Sequence, residues 1–447
     1  MSLGKAMHQM PEVPAGAEGR TAQGRGEAVP GAGDDEAELA RHAQTSRGAG
    51  DLLWRALARE NMAAAWKRVK ANKGSAGVDA RTVQQTGEYL KTAWPDIRTS
   101  LLDGSYRPAP VRRVAIPKPG GGERELGIPT VVDRLIQQAL LQVLQPLIDP
   151  GLSAHSHGFR PGRSAQGAVL QAQQYVQAGY RFVVDVDLEK FFDRVNHDIL
   201  MDRLARRIAD KAVLRLIRRY LQAGVMHGGV CTARAEGTPQ GGPLSPLLAN
   251  VLLDEVDREL ERKGRKFVRY ADDCNVYVQS QRAGERVLQA LRRCYARLHL
   301  VVNEAKTAVA RVWGRKFLGY SIVVGRGGAV LVVAEQALAK LRERLRRSTR
   351  RSSGRSLAQI AEDLRVYVPG WKSYFRLAQR PTVMRELDSW LRHRLRAVQL
   401  AHWRHGRKAY TELRRLGARV DEAQRIASHL RQWWHTSRLG VNRLLDI

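Results

Sequence analysis

Three cysteines in 447 residues, Cys231, Cys274 and Cys294, stand far apart and form no C-x-x-C pair. That spacing excludes a disulfide-framed scaffold and a cysteine zinc site, and it suits a reducing cytoplasm. No run of about 18 apolar residues occurs and the N-terminus lacks an apolar signal core, so neither a membrane span nor an export signal is expected. Acid is also scarce: 44 Asp and Glu face 75 Lys and Arg, a net charge of +31. A balance this basic points to a polyanionic partner, nucleic acid ahead of a membrane surface, whose phosphates release counterions when neutralised.

What is present reads as a folded protein. With 43% hydrophobic residues the chain can bury more than one core, and its length suggests about two or three domains of roughly 150 residues each. Residues 1–50, rich in Gly, Ala, Glu and Arg with almost no large apolar side chain, cannot offset the entropy of ordering and are read as a disordered Gly- and Ala-rich tail. From Leu52 the apolar residues Leu53, Trp54, Leu57, Met62 and Trp66 recur at helical spacing. Strand-like runs at Phe182–Val186, Phe267–Val278 and Ala329–Val333, between helical stretches such as Arg134–Leu147, predict an α+β fold.

Residues 331–447 are helical in pattern and hold 26 Lys and Arg against 10 Asp and Glu, so about half of the excess charge sits there. Trp371, Trp390, Trp403, Trp433 and Trp434 lie among those arginines. Aromatics interleaved with arginine suit stacking and cation–π contact with nucleic acid, while packing in a helical core competes as the reading of each single tryptophan.

Two acidic segments carry the chemistry. The strand Arg181-Phe-Val-Val-Asp-Val-Asp187 ends in acid before Leu188-Glu-Lys-Phe-Phe-Asp193, and Arg269-Tyr-Ala-Asp-Asp-Cys274 reads as a hairpin with two aspartates at its turn. Magnesium is held by few carboxylates plus substrate phosphates, and two such ions about 3.5–4 Å apart clamp the attacking and leaving oxygens of phosphoryl transfer. A polar turn is the plainer reading of Asp272 and Asp273 taken alone. Period-two alternation puts Asp185 and Asp187 on one face, so spacing does not choose between them.

The ordered set of motifs resembles the group II intron-encoded reverse transcriptases and maturases. It runs from Lys70-Ala-Asn-Lys-Gly-Ser-Ala-Gly-Val-Asp79 through Ile116-Pro-Lys-Pro119, Leu126-Gly-Ile-Pro129 and His157-Gly-Phe-Arg-Pro-Gly-Arg-Ser164. Gly237-Thr-Pro-Gln-Gly-Gly-Pro-Leu-Ser-Pro246, Tyr270-Ala-Asp-Asp273 and Phe317-Leu-Gly-Tyr320 complete it.

The resemblance implies a right-hand polymerase fold: N-terminal extension and fingers over 51–180, palm over 181–330, helical thumb and maturase domain over 331–447. It implies Asp187, Asp272 and Asp273 as the palm carboxylates, with two Mg²⁺ and no organic cofactor or zinc. Asp185 is then a modulating neighbour and Asp193 a helix cap or hydrogen-bonding residue. Lys306 is the position proposed to protonate pyrophosphate, and Lys118 and Arg124 the fingers charges on the incoming triphosphate. Phe192 is the ring that crowds a ribose 2′-hydroxyl, and Gln240 and Gly241 are a close backbone approach to template and nucleotide.

Phe317, Leu318, Gly319 and Tyr320 resemble the primer grip, and Trp371, Lys372 and Tyr374 belong to the domain that holds intron RNA. The implied partners are template RNA, group II intron RNA, primer and target DNA and deoxynucleoside triphosphates, in a bacterial cytoplasm beside the nucleoid, with a homodimer compatible. No HNH endonuclease is expected, because its cysteine pairs are missing. A domesticated enzyme of phage defence or DNA repair, or a splicing cofactor with an idle polymerase, are the competing expectations.

Overall fold

The structure, a computed structural model, describes residues 51–117, 123–227, 230–232 and 236–437. The expected tail over residues 1–50 lies outside the described residues, as does Lys118.

The apolar period after residue 51 becomes two helices, Leu52–Leu57 and Arg59–Ala71, separated where Ala58 turns to extended backbone with ψ 140°. Their inward residues Leu53, Ala56, Leu57, Met62 and Ala65 share one core with Leu135, Ile136 and Ala139 of the helix Val131–Ile148. Burying one such aliphatic side chain larger than Ala contributes roughly 1.5–3 kcal/mol. The helix Val83–Leu102 opens on a capping box in which Thr82 accepts from Gln85 N and Gln85 answers the Thr82 N–H.

The described strands are β1 (Val111–Pro117), β2 (Glu123–Ile128), β3 (Phe182–Val186), β4 (Val225–His227), β5 (Val230–Thr232) and β6 (Lys266–Tyr270). They continue with β7 (Asp273–Val278), β8 (Ala308–Arg311), β9 (Lys316–Phe317), β10 (Tyr320–Gly325) and β11 (Gly328–Val333). Three sheets result, ordered β2-β1-β4-β5, β6-β7-β3-β8 and β11-β10-β9. The second is antiparallel throughout, and β3 lies between β7 and β8, with Asp185 opposite Asn275 on one side and Ala308 on the other.

That middle sheet divides two cores, as alternation requires. Val184, Val186, Phe267, Cys274 and Val276 face a core that includes the helices Ser245–Arg262 and Gln281–Arg297. Val183, Val268 and Tyr277 face the other way, into a core shared with the helix Ala165–Gln177, the β9–β11 sheet and the helices Leu357–Tyr374 and Pro381–Trp403. A third cluster, around Leu400, Trp403, Leu413 and Ile426, closes the last helices.

The α+β class expected from the sequence is the observed one, helix-rich with antiparallel sheet. The expected boundaries are not breaks in the backbone pairing. β1 pairs in parallel with β4 across the 180/181 division, and β11 runs through 330/331.

Candidate active site

Asp187 follows the last residue of β3, where the strand leaves the ladder. Its N–H donates to Thr307 Oγ1 at 3.2 Å and its carbonyl accepts from Asn303 N at 2.8 Å, so the segment before β8 fixes this strand end. On the neighbouring hairpin Tyr270 is paired with Asp273, which leaves Ala271 and Asp272 as a two-residue turn. Ala271 takes φ +57°, the left-handed backbone that such tight hairpins use. Asp273 is therefore the first residue of β7 rather than part of the turn. Since Val186 pairs with Cys274, one further step of the register brings Asp187 level with Asp273.

A buried polar unit holds this turn from behind. Arg269 Nη1 donates to the Ala271 carbonyl at 2.8 Å and to Asn250 Oδ1 at 2.9 Å, while its other nitrogens grip Asp257. Asn250 and Asp257 come from the helix Ser245–Arg262, on a face that is otherwise largely apolar. Sequence reasoning missed all three. The available signal was charge out of pattern: an arginine inside the apolar strand Phe-Val-Arg-Tyr, and acid among core positions of a helix.

The carboxylates feel one another. Crowding by protein atoms, then the charges of Asp272, Asp185 and Asp187, push Asp273 up to about 7, with Lys316 opposing. Asp273 is nonetheless exposed to solvent. Burial also raises Asp185, against the pull of Arg315, whose Nη2 lies 2.7 Å from its carboxylate. Lys306 Nζ lies 3.4 Å from Asp187 Oδ2, which brings the expected proton donor to the expected metal ligand. Arg315 and Lys316 were not singled out from sequence.

Hard oxygen donors gathered at adjacent strand ends, where desolvation and then mutual repulsion raise Asp273, fit a divalent cation. Among the described residues no three His, Cys, Asp or Glu side chains form a ready-made metal cage. Magnesium is commonly held by one or two carboxylates and completed by substrate phosphates, so an open shell is compatible with it.

Phe192 lies in a single tight helical turn, Phe191–Asp193, its ring edge-on to Phe191 at 5.0 Å and 9% exposed. The glycine-rich loop is tied to the same turn, with Thr238 N donating to Phe192 O at 2.7 Å and Gly237 N to Val195 O at 2.7 Å. The carbonyl of Gln240 accepts from Gly127 N at 3.0 Å, and a Cβ on Gly241 would lie 2.8 Å from the Gly127 carbonyl. Phe192, Gln240 and Gly241 thus belong to one connected floor that reaches β2. Arg124 sits on β2 opposite Ile116.

Two expectations need correction. Asp193 does not cap the following helix; Asn196 does, accepting from Asp198 N and Ile199 N at 3.0 Å. The rings of Phe317, Tyr320 and Trp371 are buried in the core between the β9–β11 sheet and the following helices, so they support that hairpin rather than offer a face to a base. Leu318 and Gly319 take left-handed backbone, and Tyr374 Oη donates to the Leu318 carbonyl at 3.0 Å. Lys372 is exposed on the same helix.

Residues 116–322 match the reverse transcriptase (RNA-dependent DNA polymerase) family, and residues 338–417 match the group II intron maturase-specific domain. Protein YkfC of Escherichia coli K12 is 33% identical over 287 residues, 55% of this chain and 75% of that protein. The group II intron-encoded protein LtrA of Lactococcus lactis subsp. cremoris is 40% identical over 171 residues, 38% of this chain and 28% of LtrA. The putative COX1/OXI3 intron 2 protein of Saccharomyces cerevisiae is 34% identical over 203 residues, 44% of this chain and 23% of that protein. The chain therefore spans three quarters of the first relative and about a quarter of the other two. With both domains present in order, the chain belongs to the group II intron-encoded family of reverse transcriptases and maturases, RNA-directed DNA polymerases that use divalent metal ions and carry a domain assisting intron splicing.

Proposed function

We propose that Asp187, Asp272 and Asp273 form the metal-holding centre at which this polymerase joins deoxynucleotides to a primer along an RNA template. The observation that carries the reading is their arrival at the ends of adjacent strands, with Asp273 raised to about 7 by its surroundings and its acid neighbours. Two Mg²⁺ ions, when bound, supply the charge that eases ionisation of the primer 3′-hydroxyl and offsets charge on the departing pyrophosphate.

The chain's own groups do the rest. Lys306, paired with Asp187, is placed to give a proton to the leaving pyrophosphate. Arg315 holds Asp185 back from the metal-holding set. Phe192, packed on Phe191 and tied through its carbonyl to Thr238, keeps a rigid wall where a ribose 2′-hydroxyl would sit. Lys118 and Arg124, the fingers charges that the family resemblance implies, meet the triphosphate. The basic helices after residue 334 take phosphates of intron RNA, with Lys372 among their exposed cations. Three free cysteines suit the reducing cytoplasm of a bacterium, beside its DNA.

The test is extension of a DNA primer on an RNA template with Mg²⁺ and deoxynucleotides, comparing native protein with Asp272→Asn, together with RNA binding across salt. Extension by the native protein, and RNA binding without extension by the variant, is the expected result. Native protein that binds RNA and never extends a primer overturns the reading in favour of a splicing cofactor.

A further inference from the structure

The segment from Ser156 to Ser164 lies against the hairpin that carries Asp272 and Asp273. His157 N donates to the Arg269 carbonyl at 2.8 Å, and Asn250 Nδ2 donates to the Gly158 carbonyl at 2.9 Å. A Cβ on Gly158 would stand 2.2 Å from Ala271 N, so the two backbones meet only because residue 158 has none. On the far side Arg160 is buried, its guanidinium bonded to the carboxylate and carbonyl of Asp149 and to the carbonyls of Ser153 and Ser156.

Between these two anchors stands Phe159. It is 48% exposed, and its backbone is left-handed with φ +59°. Bulky side chains avoid that region because Cβ crowds the following carbonyl, and such strain persists where the surroundings over-determine it, often at sites of function. An exposed apolar ring alone would be ordinary. Here the strain turns the ring outward from a rigid frame, beside the turn, with its centroid 6.5 Å from the ring of Tyr270.

We propose that Phe159 is a nucleic-acid contact whose ring, with Tyr270 beside it, packs on a base or sugar of the primer–template duplex at the end being extended. The proposal rests on the reading of Asp187, Asp272 and Asp273 as the reaction centre, since a primer end served by those carboxylates must lie beside the turn that Gly158 touches. Aromatic faces accept any base, so the contact holds the duplex without reading its sequence.

The experiment uses the full chain and two variants, Phe159→Gly and Phe159→Tyr. Glycine removes the ring while adopting the left-handed backbone freely, so the fold is retained or stabilised; tyrosine keeps the ring. With a fluorophore-labelled DNA primer on an RNA template, Phe159→Gly should bind about ten-fold more weakly. Its KM for deoxynucleotide stays native and Phe159→Tyr restores the affinity. Native duplex affinity in Phe159→Gly, with or without a change in deoxynucleotide KM, overturns the proposal. Native protein that binds the duplex but fails to extend it overturns the reading of the carboxylates instead, and the binding comparison still decides on Phe159.

Discussion

Arg269 lies against Asp257 with Nε 2.9 Å from Oδ1 and Nη2 2.6 Å from Oδ2, a two-toothed ion pair whose side chains are both fully buried. Removing one partner leaves the other charge stranded in the core, so Asp257→Asn should cost about 3–5 kcal/mol, read as a lower denaturation midpoint. Replacing both, Arg269→Met with Asp257→Leu, should recover much of that stability. Primer extension should nonetheless stay impaired, because the Ala271 carbonyl loses its donor. A double variant that extends at the native rate would show that the pair serves stability alone.

The acid cluster gives the metal-free protein a pH signature. Asp273 rises from its ordinary 3.8 to about 7, so in the folded chain it keeps its proton over a range where the unfolded chain has lost it. The resulting stability is complete below about 3.8 and is lost as pH climbs through about 7. Thermal denaturation without divalent ions should therefore show native protein losing more Tm between about pH 5 and about pH 8 than Asp273→Asn does. Added Mg²⁺ should raise the native Tm more at the higher pH. Parallel pH curves for the two proteins would count against this account.

Phe192 can be tested as a gate against its role in packing. Phe192→Val should lower the preference for deoxynucleotides over ribonucleotides by about 10- to 100-fold in single-nucleotide incorporation. It should also cost roughly 1–3 kcal/mol of stability, because the ring is part of the core. A loss of stability with the preference intact would assign the ring to packing only.

Gly237 has φ +89°, and a Cβ there would lie 2.8 Å from the Asp193 carbonyl and 3.0 Å from that of Phe192. Both contacts are backbone, with little room to yield. Gly237→Ala should push the Gln240 loop off the Phe192 turn and raise the KM for deoxynucleotide by about ten-fold or more, with RNA binding unchanged. An unaltered KM would mean that the loop stands clear of the nucleotide.

Much of this was legible in the sequence, for physical reasons that can be named. The strand β3 was readable because its four apolar residues lead into Asp187, and the hairpin because Phe-Val and Val-Tyr-Val flank two aspartates. The choice between Asp185 and Asp187 was not, since both share a face. The family resemblance made that choice, and in the fold each has a cation partner distant in sequence, Arg315 on Asp185 and Lys306 on Asp187. Arg269, Asp257 and Asn250 escaped because a buried polar network pairs residues by topology rather than by sequence distance. Trp371 looked like a nucleic-acid contact by composition and Phe317 by resemblance, but their burial depends on how the last helices fold back on the β9–β11 sheet.

The place of β3 between β7 and β8 also sets a timetable. Asp187 emerges from the ribosome well before the hairpin bearing Asp272 and Asp273, and before Thr307, whose hydroxyl meets its backbone. Pairings so distant along the chain close slowly and cannot precede synthesis of their later partner. A nascent polypeptide that stops short of β8 therefore carries basic surface with β3 unpaired on one edge. The helices that hold about half of the excess positive charge are made later still.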